Sequence, residues 1–342
     1  MSTFDRIVSV LFLTSSILLA APPELKNKPA HDLHFDTEIG HFYQIEAQVD
    51  GHWKKFGAPI VGDGKPHQTY ASAQDGKNFR VNELKNQWVS VWADEFEGEN
   101  IDMSKWSHEE NGYGGGNSER QFYSTKAKYS YVKDGFLNLA AFRDSHTTSD
   151  GQTQAYTSAR LRTLYRGDWT FGRFEIRAKV PSGEGIWPAV WMLPTNSPYG
   201  GWAASGEIDI LESRGTQVEK AIGTIHFGDS WPRNQHKGTE FTIPGKNAAE
   251  AFHVYAIEWN KDEIKWFIDE HNYQTLKKEE WNSTAAPDNA SAPFDMPFHL
   301  LLNLAVGGGF FNGTEQNPDK LPDSAFPQIF QIDYVRVSQW AE

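Results

Sequence analysis

Three carboxylates fall within six residues at Glu207-Ile208-Asp209-Ile210-Leu211-Glu212, separated by apolar side chains in a β-favouring stretch with Gly206 before it and Gly215 after it. Acids in this arrangement could supply the two groups that cleavage of an acetal C–O bond needs. One carboxylate attacks the anomeric carbon, and one carboxylic acid protonates the departing oxygen. Side chains of an extended strand alternate between faces, so Glu207 and Asp209 share a face while Glu212 points to the other. One extra residue, a β-bulge near Ile210 and Leu211, would bring all three acids to one face. With that bulge the two glutamate Cα atoms stand roughly 13 Å apart at about 3.3 Å per residue. Side chains leaning toward each other could then bring their carboxyls to about 5 to 6 Å, the spacing of a double displacement with retention. Taken alone, the hexapeptide also fits an amphipathic strand whose acids face water.

The neighbouring residues narrow the choice. Gly185 to Leu193 (GIWPAVWML), Trp202, GEIDILES and Gly223-Thr224-Ile225-His226 together resemble glycoside hydrolase family 16, specifically its laminarinase-like branch. The bulged E-x-D-x-x-E form belongs to that branch and to related agarases and carrageenases, whereas lichenases typically carry the unbulged E-x-D-x-E. The resemblance covers about residues 88 to 340. It implies a retaining endo-hydrolase of β-1,3-glucan, with Glu207 as nucleophile and Glu212 as acid/base. Asp209, between them, is assigned to hydrogen-bonding and charge-tuning of Glu207, because nearby acids cannot all ionise cheaply. The attacker must be ionised while its partner holds a proton near neutral pH.

Around the acids, Trp187 and Trp191 are four apart on an expected strand, which puts both rings on one face with the small Ala189 between them and leaves room for a sugar. The alternative is that one of these rings belongs to the core. Trp202, in a glycine-flanked loop just before the acids, is expected to wall a subsite. His226 resembles the family histidine near the catalytic acids. Gly114-Gly115-Gly116-Asn117-Ser118-Glu119-Arg120-Gln121 resembles the family's G-G-G-N-N-E-L-Q loop, departing from it at Ser118 and Arg120. The resemblance assigns Asn117 to sugar hydroxyls on the non-reducing side of the cut, while Glu119 and Gln121 could equally fix the loop. Arg160, in Y-T-S-A-R, matches a family position facing the cleft; an exposed strand arginine is the alternative. A structural calcium on the convex side is likewise implied only by resemblance, through Glu95, the Gly135 carbonyl and Asp333, oxygen ligands of the kind Ca²⁺ takes. No cofactor is expected for catalysis.

These residues need a scaffold of strands. From Trp88 onward short alternating runs recur, at Phe136 to Ala141, Phe174 to Val180, Phe252 to Trp259, Leu300 to Val306 and Ile332 to Val337, separated by Gly-rich and Asp-Gly turns. Many antiparallel strands with few helical stretches indicate two packed sheets. The resemblance sharpens this all-β class to a β-jelly-roll sandwich with a concave substrate cleft, spanning residues 87–342. Ahead of it, Tyr43, Ile45, Ala47 and Val49 alternate with polar residues, Asp50-Gly51 offers a hairpin turn, and Trp53 to Phe56 and Phe79 to Val81 return. This predicts a small β accessory domain over 37–86. A carbohydrate-binding role for it competes with a plain accessory one, since Trp53 is its only tryptophan. Residues 22–36 read as a polar linker. Residues 1–21 read as an export signal, with Arg6 ahead of an apolar run from Ile7 to Ala21, too short for a comfortable membrane span.

Composition agrees with a secreted or periplasmic polysaccharide enzyme. The chain has 342 residues, 13 Trp and 14% aromatic residues, and tryptophan faces suit sugar rings, although part of this content must be core. With no cysteine, disulfides and thiolate metal sites are excluded. The net charge of −13 makes nucleic acid an unsuitable partner, because no Lys/Arg cluster is present to bind phosphates. A soluble monomer acting on β-glucan is expected, with no membrane association after signal cleavage. An agarase or mixed-linkage glucanase on the same scaffold, and a non-catalytic glucan-binding protein, are the rival readings; relatives of the latter kind characteristically lack one or both catalytic glutamates, and both stand here. Asn282, Asn289 and Asn312 head Asn-x-Ser/Thr triplets, glycan acceptors only on a eukaryotic secretory route. The loop from Gly307 to Asn312 could block one end of the cleft.

Overall fold

The computed structural model describes residues 24–25, 30–72, 75–76, 78–149, 151–245, 247–311 and 318–342. The chain divides into two compact units, one of residues 1–91 with 338–342 and one of residues 92–337. The expected export signal lies outside the described residues. Among the described residues no helix is long and apolar enough to cross a membrane.

In the first unit, strand Phe42–Val49 pairs antiparallel with Phe79–Leu84 on one side and with His52–Lys55 and Ile60–Val61 on the other. Asp50 and Gly51 both take positive φ, 51° and 80°, the backbone that a two-residue hairpin turn demands. The expectation of a linker over 22–36 is corrected: Ala30–Phe35 is a strand paired with His67–Ser72. Its composition is polar, yet Leu33 and Phe35 alternate and are buried, joining Tyr43, Ile45, Phe79 and Val81 in one core. Trp53 is half-buried, with the Arg80 guanidinium 4.4 Å from its ring centre.

The second unit is a β-jelly-roll sandwich. The sheet that carries the acids runs Gln235–Thr242, Lys220–Phe227, Glu207–Glu212, Ile186–Pro194, Phe298–Val306, Arg160–Arg162, Ser107–His108, with neighbours hydrogen-bonded. The opposing sheet includes Gly172–Lys179, His253–Trp259, Glu263–Ile268 and His271–Lys277. Gly172–Lys179 shows the strict buried/half-buried alternation of a strand with one face in a core. Phe298–Val306 is buried at all nine positions, which is why it reads as a nearly unbroken apolar run. Trp266 reaches from the opposing sheet to donate its indole N–H to the Asp209 carbonyl at 2.8 Å. It passes Gly223, where a Cβ would fall 2.4 Å from Trp266 Cδ1 and 2.5 Å from the Tyr273 hydroxyl, so this position admits no side chain.

Candidate active site

The acid strand is bulged where the carboxylate spacing requires it. Asp209 lies opposite Thr224 and Glu212 opposite Ile222, so three steps on one strand match two on the other, and Ile210 has no partner on Ile186–Pro194 either. Facing residues of an antiparallel pair point to the same side. Glu207, Asp209 and Glu212 oppose His226, Thr224 and Ile222, which alternate along their strand and share one face. All three acids therefore emerge together. The bulge leaves a backbone carbonyl at Asp209 that Trp266 satisfies from below.

Each glutamate accepts an indole N–H. Trp202 Nε1 donates to Glu207 Oε2 at 2.7 Å, and Trp187 Nε1 donates to Glu212 Oε1 at 3.0 Å. His226 Nε2 stands 3.7 Å from Glu207 Oε1 and 3.3 Å from Asp209 Oδ2. The second contact is within ion-pair distance but is not aligned as a hydrogen bond, and Asp209 Oδ2 is buried without a hydrogen-bond partner. Burial pushes all three carboxyls up, each to about 8. For Glu207 and Glu212 the Asp209 charge adds to burial; His226 and the indole N–H groups oppose both, and Arg214 also opposes the rise at Glu212. Acids this close release their protons as a set rather than one by one.

The other expected site residues fall into two groups. Trp202 is 43% exposed, and its ring centre lies 5.4 Å from that of His226, so the two form an accessible wall beside Glu207. Asn117 is exposed in the glycine loop, its carbonyl accepting the Gly309 N–H at 2.6 Å. Glu119 and Gln121 fix that loop: Glu119 Oε2 accepts from Gln121 Nε2 (2.6 Å) and the Tyr123 hydroxyl (3.2 Å), and Gln121 Oε1 accepts the Val306 N–H (2.7 Å). Two expectations change. Trp187 offers no open face, because Phe310 stacks on it at 4.4 Å with rings 12° apart and Phe311 packs on its edge; it holds Glu212 instead. Arg160 is 6% exposed, with its guanidinium near Glu109 (3.5 Å), the Tyr123 hydroxyl (3.3 Å) and Glu119 (3.9 Å), and so props the floor rather than facing a sugar. It also underlies Trp191, whose Nε1 donates to Asn303 Oδ1 at 2.6 Å. Trp191 is half-buried.

Sequence reading missed Asn303, Phe310 and Trp231. Asn303 faces both Ala189 and Arg160 across the ladder, a position visible only once the strands are paired. Trp231, 73% exposed and linked by its N–H to the Trp202 carbonyl, follows the His226 strand in a polar loop and could have been noted as an aromatic without a core pattern. The Asn289 amide donates to Asp295 at 2.6 Å; Asn312 lies outside the described residues.

The calcium residues do not form a ready ligand set. Arg336 clasps both oxygens of Glu95 at 2.8 Å, and Arg177 holds Asp333. Gly135 sits with φ of 79° in the turn between Ser130–Lys133 and Phe136–Ala141. Among the described residues, the group of His and acid side chains close enough to converge on an ion is Glu207, Asp209 and His226. A cation at the convex site would have to displace both arginines.

The family model for glycosyl hydrolases family 16 matches residues 118–336. The chain is 43% identical over 310 residues to glucan endo-1,3-beta-glucosidase A1 of Niallia circulans, an alignment covering 86% of this chain and 45% of that protein. It is 41% identical over 260 residues to a beta-glucanase of Rhodothermus marinus, covering 75% of this chain and 86% of the relative. The X-ray structure of the laminarinase from Rhodothermus marinus matches with a TM-score of 0.65 at 39% identity, over 75% of this chain and 99% of that one. The chain thus spans less than half the length of the Niallia circulans protein and most of the Rhodothermus marinus one.

Proposed function

The chain belongs to glycosyl hydrolase family 16, and from that membership we propose that it is an exported, monomeric endo-β-1,3-glucanase that cleaves laminarin-type chains with retention. The observation that carries the mechanism is the bulge at Ile210, which turns Glu207 and Glu212 to one face with a separate indole donor on each. Glu207 attacks the anomeric carbon as a carboxylate, while Glu212 passes its proton to the departing glycosidic oxygen. Water then takes the place of the leaving sugar: Glu212, now a base, accepts its proton as the oxygen attacks the glycosyl ester, and Glu207 leaves as a carboxylate. Trp202 and His226 favour the anion at Glu207, and Asp209 opposes it unless it carries a proton itself. A protonated Asp209, which burial favours, therefore frees Glu207 to ionise. The open wall at Trp202 suits a polymer that extends past the site in both directions, hence mid-chain cutting.

The test compares laminarin, lichenan and agarose as substrates and follows the anomer formed first by proton NMR. Initial β-anomer from laminarin, with loss of turnover of a thousandfold or more in Glu207→Gln and Glu212→Gln, is the expected result. Initial α-anomer, or near-normal turnover in either variant, refutes the mechanism. Preference for agarose or lichenan would transfer the same chemistry to a different chain.

A further inference from the structure

Away from the acids, the second unit holds a cavity of about 520 Å³ between the segment after edge strand Ser107–His108 and the hairpin of His146–Thr147 with Thr153–Gln154. Its volume lies within the roughly 300–1,000 Å³ of small-molecule sites. Asn111, Tyr113, Phe122, His146, Thr148 and Gln152 line it. No lysine or arginine does, and Glu110 is the acid among the lining residues, so the site repels a phosphate or sulfate and offers a neutral hydroxylated ligand a further acceptor. The amides of Asn111 and Gln152, the hydroxyls of Thr148 and Ser149 and the rings of Tyr113 and His146 supply what a pyranose seeks, donors and acceptors for its hydroxyls and a ring for its C–H face.

The walls are held in place. Phe122 is buried, and His146 stacks on it with ring centres 3.6 Å apart and planes 13° from parallel. Tyr113 is 69% exposed, yet its hydroxyl donates to Glu109 Oε1 at 3.3 Å, and Asn111 donates to the same oxygen at 2.8 Å. Glu109 in turn contacts Arg160, which lies under Trp191. Gln154 ties the hairpin to the Gly112 carbonyl, and a Cβ at Gly112 would sit 3.0 Å from Phe122. One chain of contacts thus joins the cavity to the floor beside the acids.

The cavity stands on the acids' side of the sheet: Asn111 and Tyr113 bond Glu109, Glu109 contacts Arg160, and Arg160 faces Asn303, Ala189 and Glu212 in turn across the ladder. Glu207 and Glu212 are displaced from each other along their strand and act on opposite sides of one glycosidic bond, so the polymer axis crosses the strands. Crossing from the acid strand over Ile186–Pro194, Phe298–Val306 and Arg160–Arg162 reaches Ser107–His108. At roughly 4.8 Å per strand the edge is about 19 Å from the acids. Only a chain several sugars long can touch both places.

We propose that the Tyr113/His146 cavity is a distal subsite that binds a neutral glucosyl unit of the same chain being cut at Glu207 and Glu212, so that it favours long substrates over short ones. The inference rests on the glucanase reading. The experiment measures kcat/KM on laminaritriose and on laminarin-derived oligosaccharides of seven or more units, for wild type, Tyr113→Ala and His146→Ala, and for Ser149→Trp, which fills the cavity without removing a wall. Thermal melting checks that each variant folds. The expected result is about a tenfold fall on long chains, carried mainly by KM, with the trisaccharide rate unchanged. An unchanged ratio of long to short in folded variants overturns the subsite and leaves the glucanase reading intact. Wild type inactive on every laminarin substrate overturns the glucanase reading and the subsite with it.

Discussion

Replacing Asp209 by asparagine should stabilise the protein, and more so as pH rises. Asp209 is 3% exposed, one of its oxygens has no hydrogen-bond partner, and burial moves its carboxyl from an ordinary 3.8 to about 8. The folded state therefore binds a proton that the unfolded chain releases near pH 4. Stability is at its full value below that pH and is lost as pH climbs through the folded value, the opposite of a carboxylate held by a cation. At about 1.4 kcal/mol per pKa unit the shift sets a ceiling near ~6 kcal/mol. The amide is itself a buried polar group without a partner for every atom, which takes back part of the gain, so the net is about 2 kcal/mol, or about 4 to 8 °C in melting temperature for a domain of this size. Melting curves of wild type and Asp209→Asn at pH 4, 6, 8 and 9 make the comparison. The difference should be smallest at pH 4 and grow to about 8. A constant difference across that range, or a variant that weakens relative to wild type toward pH 9, would show that Asp209 is not held protonated by burial. The same variant should lose activity, and because the Asp209 charge raises Glu212, the alkaline limb of its kcat/KM profile should move to lower pH.

Trp202→Phe keeps a ring at the wall but deletes the 2.7 Å hydrogen bond to Glu207. A bond to a charged group contributes about 1.5–3 kcal/mol, so kcat/KM should fall roughly ten- to a hundredfold. Since the indole lowers Glu207, the acidic limb of the pH profile should also move up; a fall in rate with an unmoved limb would assign Trp202 to sugar contact alone. If calcium does bind at Glu95, Gly135 and Asp333, adding it at about 100 times its Kd should stabilise the fold by about 2.7 kcal/mol, and chelator should reverse this. The gain should vanish in Glu95→Gln. Identical melting with calcium and with chelator would leave those acids to Arg336 and Arg177.

The bulge was legible because a strand has a period of two, and three acids at positions 207, 209 and 212 cannot share a face without one extra residue. Strands at Phe136–Ala141 and His253–Trp259 were legible for the same reason. What escaped was long-range. Nothing near Trp187 announces that Phe310 will cover it, and nothing near Arg160 announces Glu109 and Tyr123 around its guanidinium. The strand Ala30–Phe35 was hidden by the opposite fault, a polar composition that masks the alternation of Leu33 and Phe35.

Burial alone cannot divide the labour between the two glutamates, because it raises both in the same direction. The division has to come from what each one touches. His226 acts on both, but Glu207 alone meets Trp202, which is open to solvent. Glu212 meets Trp187, which Phe310 and Phe311 enclose, and feels Arg214, which lies over the Phe310 ring at 4.4 Å. In the proposed mechanism the environment of Glu207 is therefore the one that a sugar would alter, by covering the exposed Trp202, while the indole partner of Glu212 is fixed by the protein. Under the proposed mechanism, a nucleophile tuned by substrate contact and an acid tuned by packing can hold different protonation states on a single strand.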